Sequence, residues 1–388
     1  MKILIVNTFY YPNMKGGTEQ SVKLLAEGLV KRGHEVFVLT GDNSDITEEN
    51  GVRIIRLNLK TQNESLIRKL SRKALEFNNI SISNKINEIL DDVKPDIVHT
   101  NNLFYISTII WRIAKEKNMK VIHTLRDYWG LCPKTTLLKK SGSICGRGKG
   151  ICSVHKYNYN LRTKYVDIVT SPSKFTLNLY KKNNIFESTI GVVIPNAIDF
   201  NIDERKQLLK DRFNRTENII TFLFIGTLDI HKGVEILIEA FKQVKSDNIR
   251  LNICGDGPLK SYIEENAKLD KRIKYLGKVL KKEKEEILIS SDVMIVPSIW
   301  YEPFGRVVIE AYKYGLPVIA CKIGGIKELL DDKNSIGILP GNEKELKLSI
   351  EKLSNREDLK EYIVYSKNLF ESYRIENQLK KFEEIYIN

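Results

Sequence analysis

Short runs of β-branched and aliphatic residues alternate with helix-period segments along the whole 388-residue chain, and this alternation limits what it can fold into more than any other feature. A run such as Lys2-Ile3-Leu4-Ile5-Val6 is apolar at successive positions, so both faces of the strand it forms must be buried. A parallel sheet covered by helices on both sides does this. In the first half the pattern predicts strands at residues 2–7, 35–40, 52–57, 96–100, 120–125, 167–171 and 191–195. The first helix is predicted from Thr18 to Lys31, with Val22, Leu25, Ala26, Leu29 and Val30 on its inner stripe and Gly33 as its stop. A second alternating series predicts strands at 220–225, 250–254, 273–276, 293–297, 317–321 and 336–339, and residues from about 343 onward read as helices.

Between the two series, residues 197–218 lose apolar periodicity and fill with charge, which marks a linker. The expected organisation is α/β throughout: one Rossmann-like domain over 1–196, the linker over 197–218, a second Rossmann-like domain over 219–370 and a terminal helix over 371–388.

The net charge of +13 is concentrated, because residues 130–190 hold eleven Lys and Arg against Asp167 and Glu187. Tyr157, Tyr159, Tyr165, Phe175 and Tyr180 are interleaved with them, a combination suited to an anionic membrane surface or an acidic acceptor. A solvated basic face remains the plain alternative, and a nucleic-acid partner is not expected. No apolar run reaches the roughly 20 residues of a membrane span, and the start is too short and too soon polar for a signal peptide, so the expected location is cytoplasmic, against the inner membrane face if the basic segment meets lipid. With no export signal the five cysteines are expected to be reduced. Cys132, Cys145, Cys152 and His155 have the chemistry of a structural zinc site but not a standard spacing, and unligated thiols are the favoured reading.

The most informative stretch is Pro297 to Glu310, PSIWYEPFGRVVIE, in which a buried strand ends, a turn follows and a helix begins near Arg306. Val307, Val308, Ile309 and Ala311 leave that helix little wet surface, so Glu310 needs a partner. A ribose diol would serve, and so would an ion pair with Arg306 four residues earlier. Arg306 stands at a helix N-terminus, where a diphosphate would share it with the backbone N–H groups. Glu302 lies at the carboxyl edge of the sheet, where α/β folds reach their ligands, and is the candidate catalytic carboxylate. In FLFIGTLDIHKG, Lys232 stands beside a helix start in a position suited to phosphate oxygens. Lys15-Gly16-Gly17-Thr18 follows the first strand in the same way, and two such loops, one per half, suggest a ligand in a cleft between the domains. The chain has no Asp-x-Asp, so Lys232, Arg306 and helix termini, rather than a divalent ion, would neutralise a diphosphate.

Taken together, these motifs resemble the family 4 retaining glycosyltransferases of GT-B fold. Glu302 and Glu310 match the family's E-x7-E signature, Gly226 to Gly233 its G-x-L…KG loop, Gly255 to Pro258 its GDGP and Gly324 to Glu328 its GG-x-x-E, while Gly16 and Gly17 match its N-terminal Gly-Gly. The resemblance implies two Rossmann-like domains facing each other across a cleft, with the first binding acceptor, the second binding nucleotide sugar, and a terminal helix returning to the first. It further implies that Glu310 holds the donor ribose and Lys232 the phosphates, that Glu302 and the Phe304-Gly305 backbone face the transferred sugar, and that Gly277 to Val279 neighbour the base. Thr227 replaces an Arg often found in the phosphate loop, Arg126 replaces a first-domain His, and Lys327 replaces a common Pro. Arg126 and Asp127 are therefore the catalytic and acceptor-side candidates of the first half, with His99 and His123 expected to be structural. The implied activity is transfer from a UDP-sugar, in preference to a GDP-sugar, to a saccharide or lipid-linked saccharide, with no cofactor. A nucleotide-sugar epimerase and a non-catalytic basic binding protein are the alternatives.

Overall fold

The sheets are built around strands too apolar to expose either face. The structure is a computed structural model that describes every residue except 15, 60–76, 78, 140, 147, 149 and 280, with backbone alone at 281 and 364–371. It divides into two units, the first made of residues 1–137, 145–197 and 375–388, the second of 138–144 and 198–374.

In the first unit β1 (Lys2–Asn7) is buried at its last five positions and lies inside an eight-stranded sheet. The other strands are β2 (Glu35–Thr40), β3 (Glu48–Glu49), β4 (Val52–Arg56), β5 (Ile97–Thr100), β6 (Lys120–Thr124), β7 (Ile168–Ser171) and β8 (Ile190–Val193). Their order is β3-β4-β2-β1-β5-β6-β7-β8, parallel except for β3, which pairs antiparallel with β4. β3 is two glutamates long and carries no alternation from which it could be read. Strand order reverses between β1 and β5, whose register brings Val6 opposite Thr100, and a reversal of this kind opens a crevice at the strands' carboxyl ends.

The helix Ile375–Ile387 belongs to this unit and lies on the first helix, Gly17–Lys31. Leu379, Phe382 and Tyr386 join Leu25 and Leu29 in one core. Gly28 is the point of closest approach, since a Cβ there would stand 2.9 Å from the Leu379 side chain. Gln378 Nε2 donates to the Pro195 carbonyl at 2.6 Å, and Tyr386 Oη lies 2.7 Å from His99 Nδ1.

The second unit has a six-stranded, wholly parallel sheet: β9 (Ile220–Ile225), β10 (Ile249–Cys254), β11 (Ile273–Gly277), β12 (Val293–Val296), β13 (Val318–Cys321) and β14 (Ser335–Ile338). The order β11-β10-β9-β12-β13-β14 reverses between β9 and β12.

The expected linker over 197–218 is corrected by the structure, for residues Ile202–Phe213 form a helix of the second unit. Asn201 caps it by accepting from the Asp203 and Glu204 amides, and Leu209 enters the core. Apolar periodicity failed because arginines carry much of the buried side. Arg212 donates to the carbonyls of Tyr314 at 3.0 Å, Leu288 at 3.1 Å, Ile289 at 3.2 Å and Ser291, meeting the carbonyls at the end of the helix Lys281–Ser290. Residues 371–374 likewise belong to the second unit, where the Tyr373 carbonyl accepts from Ile198 N at 3.0 Å.

Phe382→Ala is expected to cost the first unit about 3–5 kcal/mol. Native-state hydrogen exchange should quicken at β1 and β2 and stay unchanged at β9 and β12; equal protection in both proteins would contradict the docking of this helix.

Candidate functional site

The crevice between β9 and β12 of the second unit receives the two most informative motifs of the sequence. Residues 226–233 leave β9 and residues 297–310 leave β12. The loops meet at backbone distance, because Gly233 has φ of 71° and a Cβ there would stand 2.0 Å from the Pro297 carbonyl oxygen. Ile299 N donates to the His231 carbonyl at 3.0 Å, joining the loops, and Asp229 caps the 3-10 turn Ile230–Lys232.

This approach sets Lys232 Nζ 2.5 Å from Glu302 Oε1 and 5.2 Å from the centroid of the Trp300 ring. Ser298 Oγ donates to the same Glu302 oxygen at 3.1 Å. Burial pushes the Glu302 carboxyl up, but the Lys232 charge and hydrogen bonds from Lys232, Trp300 and Ser298 outweigh it and hold the group below its ordinary value. Its backbone is fixed by Gly324 and Gly325. Gly325 N donates to the Glu302 carbonyl at 2.7 Å, and Gly324 has φ of 57° where a Cβ would fall 2.6 Å from that oxygen. The GG-x-x-E glycines thus permit a close backbone approach that positions the carboxylate.

On the helix Arg306–Lys313, Glu310 accepts from Arg306 Nε at 3.1 Å and from Lys284 Nζ at 2.6 Å. The pairing of Arg306 with Glu310 is therefore present, with a second cation added. The Phe304 ring is buried in the core, 6.1 Å from the Tyr373 ring, so only its backbone is available to a ligand. Thr227 is exposed, Gly277 ends β11 with its carbonyl accepting from Gly255 N at 2.8 Å, and Val279 is half-buried against the core around β12.

In the first unit, a cavity of about 270 Å³ opens at the carboxyl ends of β1 and β5 and is lined by Thr8, Phe9, Asn102, Phe104, Asp127 and Lys134 among others. Asp127 accepts from Asn102 Nδ2 at 3.0 Å and from Trp129 N at 2.7 Å. Burial raises its carboxyl from 3.8 to about 6, against the Trp129 hydrogen bond. Arg126 donates through Nε to Asn101 Oδ1 at 2.9 Å and through Nη1 to Asn196. His99 and His123 are buried and bonded within the fold: His99 bridges Tyr386 and Thr124 at 2.7 Å each, and His123 lies 2.9 Å from Thr100 Oγ1 and 3.2 Å from Tyr159 Oη. Burial drives both rings toward neutrality, His123 to about 3.

At Gly16 and Gly17 the loop is a capped helix start, because Gly16 N donates to Glu19 Oε2 at 2.7 Å and so has an acceptor within the chain; Lys15 lies outside the described residues. Cys132, Cys145, Cys152 and His155 do not converge, and among the described residues no group of three or more His, Cys, Asp or Glu side chains is placed to hold a metal. His155 Nε2 instead lies 2.5 Å from the Trp129 carbonyl, and its ring packs edge-on to Phe77.

Known proteins match both units. Residues 15–201 match the model of Glycosyltransferase Family 4, and residues 205–384 that of Glycosyl transferases group 1. An uncharacterized 42.6 kDa protein in the cps region of Klebsiella pneumoniae is 31 % identical over 85 % of this chain and 87 % of its own. This chain belongs to the family 4, group 1 glycosyltransferases. The α-monoglucosyldiacylglycerol synthase of Streptococcus pneumoniae is 25 % identical to the glycosyltransferase over 100 % of this chain and 86 % of its own. The crystal structure of Anabaena HepE in complex with UDP superposes with a TM-score of 0.74 at 17 % identity, covering 99 % of each chain, and the architecture is that of the GT-B fold.

Three groups around the glycosyltransferase's two glutamates escaped the sequence reading. Lys284 lies in KKEKEE, a run whose charges look equally solvated, and nothing in it singles out the lysine that reaches Glu310. Ser298 and Trp300 flank Glu302 within the motif itself, and only tertiary structure shows that they touch the Lys232–Glu302 pair.

The raised Asp127 carboxyl has a definite sign. Its contribution to stability is complete below about pH 4 and is lost as the pH rises through 6, because the folded state keeps the proton longer than the unfolded chain. A carboxyl ¹³C titration of the folded glycosyltransferase should place the Asp127 midpoint near 6; a midpoint near 4 would contradict the burial described.

Proposed function

We propose that this glycosyltransferase acts with retention, taking a sugar from a UDP-sugar in preference to a GDP-sugar and passing it to a saccharide or lipid-linked saccharide in surface polysaccharide or glycolipid synthesis. The observation that carries the reading is the pair of half-buried carboxylates, Glu302 and Glu310, each holding cations at the sheet's switch point: Lys232 on the first, Arg306 and Lys284 on the second. A diphosphate entering this crevice meets fixed positive charge and the start of the helix Arg306–Lys313, so no bound metal is required to neutralise it.

In the proposed reaction the bond between the donor's anomeric carbon and the diphosphate oxygen breaks while the acceptor oxygen bonds to the same face of the sugar. The acceptor proton passes to the departing diphosphate, whose charge Lys232 and Arg306 stabilise. Glu302 faces the sugar, where positive charge develops, and Glu310 accepts from the ribose hydroxyls. Gly277 and Val279 flank the base, and the exposed Thr227 adds a hydroxyl rather than a cation. In the first unit the cavity beside Asp127 suits an acceptor sugar, with Phe9 and Phe104 offering apolar faces and Asp127 accepting from hydroxyls. Arg126, engaged with Asn101 and Asn196, supports that wall. UDP is favoured because the similar Anabaena protein was solved with it, and a lipid-linked acceptor because a relative is named for the synthesis of a glycosylated diacylglycerol.

Lys232→Ala should lower kcat by about 100- to 1,000-fold, the usual effect of removing one donor to a developing anion. Glu310→Gln should weaken UDP binding, measured by calorimetry, by about tenfold or more through the lost charge-assisted hydrogen bonds. Nuclear magnetic resonance of the product should show the donor's anomeric configuration, and activity should persist in chelator. An inverted product, or loss of activity in chelator restored by a divalent ion, would overturn the mechanism. Free nucleotide and epimerised sugar formed without acceptor would favour the epimerase, and tight donor binding without turnover would favour a binding protein.

A further inference from the structure

The helix Ile151–Thr163 of the first unit reverses the usual arrangement of an amphipathic helix. Its buried side is carried by His155, Tyr159 and Thr163, while Val154, Tyr157 and Leu161 stand 60, 65 and 46 % exposed. At about 100° per residue these three lie on the face opposite the buried trio, and Ile151, 82 % exposed, adds to the apolar surface at the first turn. The polar inner side is satisfied: besides the His155 contact with Trp129, Tyr159 Oη reaches His123, and Thr163 Oγ1 donates to the Asn160 carbonyl at 2.8 Å. Among the described residues the apolar outer side takes part in no such contact.

The chemistry around this face selects its occupant. Lys164 borders this face and Arg162 lies beside it, while Lys156, toward the inner side, reaches Asn183 Oδ1 at 3.4 Å; the sequence has no Asp or Glu from 128 to 166. The next acid, Asp167, is engaged with Lys115 Nζ and Val121 N, each at 2.8 Å. A second copy of the chain would set two such basic segments against each other, whereas an anionic lipid leaflet supplies both an apolar seat and the counter-charge.

We propose that the outer face of this helix docks on anionic lipid, with Val154, Tyr157 and Leu161 entering the boundary between headgroups and acyl chains and the flanking cations meeting the headgroups. This differs from the sequence expectation, in which Tyr159 and Tyr180 shared the surface; both are buried, and Tyr180 Oη donates to the Asp127 carbonyl. The inference rests on the lipid-linked acceptor reading for its purpose, but lipid binding can be measured without turnover.

The full chain should co-sediment with vesicles of phosphatidylcholine containing about 30 mol % phosphatidylglycerol, and not with phosphatidylcholine alone. The double substitution Val154→Ser and Leu161→Ser should reduce that binding at least about tenfold, with the thermal midpoint and transfer to a water-soluble acceptor unchanged. Absence of binding to anionic vesicles, equal binding by the substituted protein, or a dimer that the same substitutions dissociate would each overturn the proposal. Wild-type docking without any sugar transfer would refute the enzymatic reading and leave the docking surface standing.

Discussion

A carboxylate removed from water must be held by a cation or give up its charge, and the second unit is arranged around this requirement at Glu302. The carboxylate stays ionised because Lys232 lies 2.5 Å away, and Lys232 is there because two loops from neighbouring parallel strands touch at Gly233 and Pro297. The reversal of strand order between β9 and β12 makes those loops neighbours. Gly324 and Gly325 then secure the Glu302 backbone from the far side. Each of these features would be costly alone, and together they hold charge in a fixed geometry where a polyanion can be received without reorganisation.

Much of the fold could be read from residue order because parallel strands buried on both faces leave a plain signal. β1, β2 and β9 lie where their aliphatic runs indicate. What could not be read were elements whose burial is not apolar. The helix Ile202–Phe213 inserts Arg205 and Arg212 into the protein, and guanidinium groups that satisfy backbone carbonyls look, in a sequence, like any solvated charge. β3 is held by its pairing with β4 rather than by side-chain pattern.

For the site, the legible residues were those with a local anomaly. Glu310 on an apolar helix and Lys232 at a helix start each invite a partner, and each has one. Lys284 carried no such anomaly, since its neighbours are charged as well, and distance in sequence hid its contact with Glu310. In the Cys-rich loop, thiols close in sequence have the chemistry of a common ligand site but not its spacing, and His155 turns inward to a backbone carbonyl.

The first unit takes its last helix from residues that follow the whole of the second. On a ribosome the segment carrying Leu25, Gly28 and Leu29 therefore emerges long before the Leu379 and Phe382 that cover it. Domains tend to fold in the order in which they are made. Here the second unit can mature while the first still presents an uncovered apolar seam, so the unit that is started before the second is completed only after it, and nascent chains halted before residue 375 should be the ones that need a chaperone.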